Sequence, residues 1–400
     1  MLPPPLLVGK AALGVITALA LRPWSPRAKP VFVEGPDAAA AASVVRSLNG
    51  DDGFWPTPWL GGFLGGHLQT IWYGLHLDDP DIGAVDEERW QTADGGTIGL
   101  AWPAVPDSMP ASAPIALILP GLCGSVDGTG WHLRSMIANG LRPVVLHARG
   151  CGIGLTSPCF NLFGSTDDLR EAISRIAAAR PEAPLCLYGI SAGTALLVRY
   201  LGEEGAQTPV VAAVANCPGY DIAVCLTRVG WLYDAGYYLK ALKRHWLEGE
   251  NGAVLRAHDP QLCERLQHAP DMHSFMVAAS PLAVPPQPVA EGGGGGGGGG
   301  ADEDAAFAAY LQMSNPMGVA RQIDVPSLIL NADDDPVCDP INVDENAAPG
   351  MLADGARQTV LLRFPAGGHC IFAEGLRARR WGDELAAGFF AEFARRAKST

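Results

Sequence analysis

The sequence lacks the short motifs of several nucleotide-dependent and metal-dependent enzymes. It contains no G-x-x-x-x-G-K-[ST] loop and no H-E-x-x-H pair, and none of its nine cysteines forms a C-x-x-C pair. The nine histidines are scattered along the chain. This cysteine pattern predicts reduced thiols rather than a disulfide framework or a zinc site.

Positive charge is also scarce. The 400 residues carry 28 Lys and Arg against 42 Asp and Glu, which gives a formal net charge of −14 at pH 7. This balance argues against a nucleic-acid-binding surface, so no nucleic-acid partner is expected. A hydrophobic content of 48% with 18% charged residues is typical of a globular chain, long enough for one large domain or two ordinary ones.

The amino-terminal segment lacks both acidic residues and a long hydrophobic run. Residues 1–33 contain no Asp or Glu, and the apolar stretch Ala11–Leu21 is shorter than the roughly 20 residues that span a bilayer. We assign residues 1–49 to a targeting, anchoring or disordered segment. Membrane contact is expected through residues 2–21, which would give a membrane-associated or organellar location; otherwise the protein is expected in the cytoplasm.

Among the features that are present, the most informative is one strand, turn and helix. Pro184 opens an apolar run, Gly189-Ile190-Ser191-Ala192-Gly193 follows it, and apolar residues then recur at helical spacing. A G-x-S-x-G sequence between a buried strand and a helix holds its serine in a sharp, strained turn. Ser191 is therefore a candidate nucleophile at a helix N-terminus, although a Gly/Ser helix cap without chemistry is the alternative.

Strands alternate with helices along most of the chain. After a hairpin around residues 90–102, buried strands are predicted near residues 114–120, 143–148, 184–189, 209–215, 325–330 and 358–364. This alternation predicts an α/β fold with a mostly parallel, doubly wound sheet. Residues 50–220 and 321–400 are assigned to the first and second parts of this core.

Residues 221–320 interrupt the alternation. They are predicted to contain amphipathic helices at Trp231–Leu247 and roughly Asp259–Met276, followed by the nine-glycine tract Gly292–Gly300, a flexible loop. A helical insertion at this place is typical of a lid over an active site. Helices without a gating role are the alternative.

Two strand ends beyond Ser191 carry the groups that a serine nucleophile needs. Its hydroxyl requires a base to take the proton, and a third group must orient that base. Reactive groups gather at the carboxyl ends of parallel strands, where Asp335 and His369 fall. We predict Ser191 as nucleophile, His369 as general base and then acid, and Asp335 as its partner, with Asp334 as the alternative third member. Such a triad needs no metal and no organic cofactor, and neither is implied.

Backbone amides are expected to complete this site. An oxyanion hole needs two N–H groups aimed at the developing charge. We predict the amide of Ala192, directly after the nucleophile, and that of Leu122, in the small-residue loop after the first parallel strand. His147 and Arg149 are given structural roles.

Several of these stretches together resemble the YheT-like branch of the α/β-hydrolase superfamily, whose animal members include esterases and phospholipases. The similar segments are His67–Thr70, Pro120–Ser125, Arg149–Gly152, Gly189–Gly193, Asn331–Pro336 and Gly367–His369. The resemblance covers roughly residues 50–390. It implies an α/β-hydrolase fold, a Ser/Asp/His triad and hydrolysis of acylglycerols, phospholipids or small carboxylic esters.

Three functions are compatible with these residues. The leading hypothesis is a serine esterase that cleaves a small-molecule or lipid ester through an acyl-enzyme on Ser191. The second is an acyltransferase that uses the same acyl-enzyme and excludes water. The third is a non-catalytic, membrane-associated binding protein that keeps the fold.

Overall fold

The computed structural model describes residues 30–49, 65–74, 79–283, 299–353, 355–374 and 379–399. The candidate membrane contact at residues 2–21 and glycines 292–298 of the predicted loop lie outside the described residues. Within the described ranges, no helix combines the length and the apolar character that a membrane crossing requires.

Within the described ranges, nine strands form one sheet, and its centre is parallel. In the order β1-β9-β8-β7-β6-β4-β5-β3-β2, the six strands from β9 to β5 run parallel, and the outer strands pair antiparallel. The predicted α/β architecture with a mostly parallel sheet is confirmed. The strands are β1 (Val31–Glu34), β2 (Val85–Gln91), β3 (Thr97–Pro103), β4 (Ile115–Leu119), β5 (Arg142–His147), β6 (Leu185–Ile190), β7 (Val210–Asn216), β8 (Ser327–Ala332) and β9 (Thr359–Phe364).

Helices cover both faces of this sheet and form a separate group beyond it. The described helices are α1 (Ala39–Leu48), α2 (Gly65–Gly74), α3 (Gly130–Ala138), α4 (Asp167–Ala179), α5 (Gly193–Glu204), α6 (Ile222–Arg228), α7 (Leu239–Leu247), α8 (Gly249–His258), α9 (Pro260–His268), α10 (Met272–Ala283), α11 (Gly299–Ser314), α12 (Pro340–Asn346) and α13 (Trp381–Ala397). Short 3-10 and π turns, and a two-stranded ribbon at Ala373–Glu374 and Arg379–Arg380, connect these elements.

The apolar runs of the central strands are explained by burial on both faces. In β4, Ala116 and Ile118 pack into the core formed with α1, α3 and α13, whereas Ile115 and Leu117 pack into the core formed with α4 and α5. A strand that is buried on both faces needs apolar residues at successive positions rather than at alternate ones. The carboxyl ends of β6, β8 and β9 therefore open at the same edge of a rigid sheet.

The sheet begins earlier than the assignment of residues 1–49 to a targeting or disordered segment implied. Strand β1 pairs antiparallel with β9, with Val31 opposite Arg363, and α1 buries Val44 and Val45. Residues 31–48 thus belong to the core, and β1 covers the edge that β9 would otherwise leave unpaired. Strands this short carry little sequence signal.

The helices between β7 and β8 also differ from their predicted bounds. The first predicted helix starts as a π turn at Asp234–Tyr238 before α7, and α8 was not predicted. The second divides into α9 and α10 because Pro270 disfavours helical geometry in the residue before it. The Asp271 carboxylate then accepts a hydrogen bond from the Ser274 amide and starts α10. Helices α6 to α11 form a separate apolar cluster with residues of the loop that follows β5.

Candidate active site

Ser191 occupies a strained turn between β6 and α5. Its φ is +50°, a left-handed conformation that is uncommon for a residue with a side chain. The Ser191 amide donates to Asn216 O (2.9 Å), and Ser191 O accepts from the Thr194 amide (2.9 Å). These bonds hold the serine at the carboxyl end of the sheet and the N-terminus of α5, as the sequence predicted.

The two glycines around Ser191 allow the strand and the helix to approach closely. A Cβ at Gly189 would lie 2.9 Å from Thr194 Cα. A Cβ at Gly193 would clash with the carbonyl oxygens of Leu119 and Pro120, the second at 2.5 Å. Both clashes are with backbone atoms, which cannot turn away as a flexible side chain can.

We expect Gly193→Ala to lower the free energy of unfolding by about 1–3 kcal/mol, because α5 must move away from β4. The matched control is Gly318→Ala, where the nearest atom would be 4.0 Å from the added Cβ. Urea denaturation of both variants measures the difference. Equal stability of the two would contradict the close approach described here.

His369 connects Ser191 to Asp335. Ser191 Oγ donates to His369 Nε2 (2.7 Å), and His369 Nδ1 donates to Asp335 Oδ2 (2.8 Å). His369 and Asp335 are both buried. The structure thus brings together the three side chains that were predicted from three separate strand ends.

The two neighbouring aspartates make different contacts. Asp335 Oδ1 accepts from the Val337 amide (2.8 Å) and the Cys338 amide (3.0 Å), which leaves Oδ2 aimed at His369. Asp334 Oδ1 instead accepts from the amides of Gly367 (2.8 Å) and Gly368 (2.9 Å). Asp335 therefore faces the imidazole, and Asp334 holds the loop that carries it.

Two opposing effects act on the pKa of His369. Burial lowers the pKa, since it disfavours the charged imidazolium, but the Asp335 carboxylate raises it through charge and hydrogen bonding. Cys217 also raises the pKa, and the contributions of Asp335 and Cys217 together outweigh burial, so the pKa lies above the ordinary 6.5. An imidazole stabilised in this way accepts a proton readily.

Helix α2 holds the histidine loop from the other side. The His369 amide donates to Thr70 Oγ1 (2.9 Å), and the Thr70 hydroxyl donates to Gly66 O (2.7 Å). The sequence did not indicate a part for Thr70 in positioning His369, and it indicated Asp334 only as the alternative partner of the imidazole rather than as a residue that holds the histidine loop. The resemblance of His67–Thr70 was the available signal, but it did not indicate which residue this segment contacts.

The amides predicted for the oxyanion hole lie beside Ser191. An added Cβ at Gly121 would be only 3.4 Å from Ser191 Cβ, so the loop that carries Leu122 passes close to the serine. Within the described part of the chain, neither the Leu122 nor the Ala192 amide donates to a protein acceptor. Both N–H groups are therefore free to receive an acceptor, as an oxyanion hole requires.

Two depressions meet at Ser191. One is an apolar cavity lined in part by Phe163, Ile222, Val229 and Val337. The other is a groove with more polar walls, lined in part by Thr70, Ser125, Thr129, Tyr233 and His369. Leu122 and Tyr238 line both, so a ligand centred on Ser191 can extend in two directions.

His147 and Arg149 lie in structural contacts, as predicted. His147 Nε2 accepts from the Val126 amide (3.1 Å), and its Nδ1 contacts Glu87 Oε1 (2.8 Å). Arg149 donates two hydrogen bonds to the Asp168 carboxylate (2.8 and 2.7 Å) and also pairs with Asp94. These contacts stabilise the loop after β5.

Among the residues that the structure describes, two groups of side chains bring three potential metal ligands within 4.8 Å of one another. They are Cys217, His369 and Cys370, and Asp335, Cys338 and His369. Both groups use His369, whose ring nitrogens already contact Ser191 and Asp335. Metal binding and the Ser191–His369–Asp335 chain would therefore compete for the same imidazole.

Comparison with known proteins agrees with this geometry. The model of the alpha/beta hydrolase fold family matches residues 114–376, and the chain belongs to that family. The predicted membership of the α/β-hydrolase superfamily is thus confirmed.

Three curated relatives show how far the similarity extends. Embryogenesis-associated protein EMB8 of Picea glauca is 30% identical over 40% of this chain and 38% of its own length. Phospholipase ABHD3 of Mus musculus is 28% identical, over 82% of this chain and 75% of its own length. Medium-chain fatty acid ethyl ester synthase/esterase 2 of Saccharomyces cerevisiae is 25% identical, over 79% of this chain and 70% of its own length. The chain thus spans about two-fifths of the first relative's length and at least 70% of the other two.

Proposed function

We propose that this protein is a serine hydrolase that cleaves carboxylic esters through an acyl-enzyme on Ser191. The family, together with relatives named as a phospholipase and an esterase, supports a carboxylic ester hydrolase. The observation that carries the serine mechanism is the continuous hydrogen-bonded chain from Ser191 Oγ through His369 to Asp335.

The proposed reaction uses each of these groups in turn. His369 Nε2 takes the Ser191 proton as Oγ attacks the ester carbonyl, and Asp335 stabilises the imidazolium that forms. The amides of Leu122 and Ala192 donate to the oxyanion of the tetrahedral intermediate. His369 then gives its proton to the leaving alcohol. A water molecule, deprotonated by His369, hydrolyses the acyl-enzyme and restores Ser191.

The two depressions at Ser191 support a division of the substrate. The apolar cavity fits a hydrocarbon acyl chain, since its walls offer few polar groups. The groove carries hydroxyl groups from Thr70, Ser125 and Tyr233, which fit an alcohol or head group. We therefore propose esters of aliphatic acids, including acylglycerols and phospholipids, as the substrate class.

Acyl transfer to an alcohol is the second candidate function. The yeast relative's name combines a fatty acid ethyl ester synthase with an esterase. The same acyl-enzyme produces an ester when an alcohol rather than water attacks it. Product analysis in the presence of ethanol distinguishes the two, because transfer yields the ethyl ester and hydrolysis yields the free acid.

A fluorescent fluorophosphonate, followed by mass mapping, tests for an activated serine. The probe should modify the peptide that contains Ser191, because only a serine with an adjacent base reacts readily. A series of p-nitrophenyl esters of increasing acyl length then tests the apolar cavity. A folded protein that the probe does not label, or labels at another serine, would refute the assignment.

A further inference from the structure

Exposed apolar side chains are concentrated at the mouth of the groove. Among the described residues, six large hydrophobic side chains are exposed, and four of them belong to α2 or to the turn before α7. The exposed fractions are 77% for Trp231, 51% for Leu232, 46% for Ile71 and 45% for Tyr237. We call these four residues the rim patch. Contiguous exposed apolar surface of this kind marks a binding surface on a soluble domain.

Hydrogen bonds between the two elements keep this patch together. Tyr237 donates to Gly74 O (3.2 Å), and Tyr233 Oη lies 2.9 Å from His67 Nδ1. The Tyr233 amide donates to Gly230 O (2.8 Å), which closes a turn. Trp231 and Leu232 lie at the tip of this turn. Ile71 and Tyr237 also line the groove beside Ser191, so the patch is continuous with the candidate active site.

The same surface carries positive charge, although the whole chain is acidic. Lys240 and Arg244 lie on the exposed side of α7 and continue, at helical spacing, from Tyr237 in the preceding π turn. Neither cation is in a salt bridge among the described residues, and Asp234 on the same segment is buried. Among the described residues that line the groove, Asp127 is the one acidic residue. An apolar patch beside exposed cations is complementary to a lipid surface that contains anionic head groups.

We propose that the rim patch docks the protein onto a phospholipid bilayer. Trp231 and Tyr237 enter the interfacial region, where amphipathic aromatic rings are favoured, and Leu232 and Ile71 reach the acyl chains. Lys240 and Arg244 lie against the head groups. This contact brings the mouth of the groove to the membrane surface and does not depend on hydrolysis.

Hydrogen exchange of the full-length chain with lipid vesicles tests the contact locally. The protein carries Ser191→Ala so that lipid is not consumed, and the vesicles contain phosphatidylcholine with or without phosphatidylserine. We expect exchange in residues 230–238 to slow roughly tenfold on vesicles, because the bilayer excludes water from the turn. Binding through residues 2–21 alone would leave this peptide unchanged and would overturn the proposal.

Vesicle affinity of matched variants provides the second readout. The double variant Trp231→Ala/Leu232→Ala should weaken binding at least about tenfold. Val31→Ala, which changes an exposed residue of the edge strand β1 outside the patch, should not. Lys240→Gln and Arg244→Gln should each weaken vesicle binding roughly fivefold, and only when the vesicles contain phosphatidylserine. Equal affinity of the double variant and Val31→Ala would contradict docking through the patch. If the parent protein forms a dimer that the double variant does not form, and the parent does not bind vesicles, the patch is an interface between two copies of the protein instead.

Discussion

Replacing Ser191 with alanine should lower kcat/KM for ester hydrolysis by on the order of 10⁶-fold, because no other group replaces the attacking oxygen. The fold should persist, since alanine has the same Cβ in the strained turn and the elbow glycines are unchanged. Hydrolysis of p-nitrophenyl esters, with circular dichroism and urea denaturation of the same samples, measures both effects. Binding of the uncleaved ester should remain, because the cavity and the groove are intact.

Ser112→Ala is the matched control for this variant. Ser112 precedes β4 at the opposite end of the sheet, and the hydrogen bond described for it uses only its backbone oxygen. Its activity should therefore equal that of the parent protein. A Ser191→Ala protein that is folded and keeps more than a trace of activity would show that another residue is the nucleophile.

Asp335→Asn should lower kcat/KM by roughly 10³–10⁴-fold while leaving the backbone in place. An amide at this position can donate to His369 Nδ1 and thereby fix the imidazole in the wrong tautomer. It also cannot stabilise the imidazolium that forms during the attack. Steady-state kinetics on a soluble ester measures the loss, and labelling by the fluorophosphonate should slow in parallel.

Asp334→Asn is the control that separates the two aspartates. The asparagine oxygen can still accept from the Gly367 and Gly368 amides, so the histidine loop should keep its position and activity should fall only a few-fold. The opposite ranking of the two variants would assign the third position of the triad to Asp334.

The pH profile gives an independent check on the same contact. Only the neutral imidazole accepts the Ser191 proton, so activity falls as pH drops through the pKa of His369. Because Asp335, together with Cys217, raises this pKa above 6.5, the acid limb of the wild-type profile should lie above pH 6.5. In Asp335→Asn the effect of burial remains and lowers the pKa, so the acid limb of the residual activity should move to lower pH. An unchanged limb would show that another group titrates.

The choice between Asp334 and Asp335 illustrates how far sequence reasoning reaches. Both follow β8 by two or three residues, and the preference for Asp335 depended on its place before Pro336. Which carboxylate faces His369 is decided by the loop after β9, whose glycine amides bind Asp334. Asp334 lies 33 positions from Gly367 and 34 positions from Gly368 in the sequence, so no local pattern reveals this pairing.

Short elements at the start of the chain show a second limit. Strand β1 has four residues and alternates poorly, with Val31 exposed, so its pairing with β9 is not readable from its own sequence. Burial of α1 against α13 is equally a contact between distant parts of the chain. The core therefore begins before residue 50, the boundary predicted from the sequence.

The sequence by itself determined the parallel core and the nature of the candidate site. Apolar runs that alternate with helices require a sheet that is covered on both faces. The carboxyl ends of its parallel strands lie at one edge, so the groups that follow these strands predicted Ser191, Asp335 and His369 as the candidate site. Only the tertiary structure decided that Thr70 and Asp334 hold the histidine loop, that two depressions meet at Ser191, and that four exposed apolar residues lie at the mouth of the groove. Such features depend on distances between side chains far apart in sequence, and these distances are set by packing rather than by local propensity.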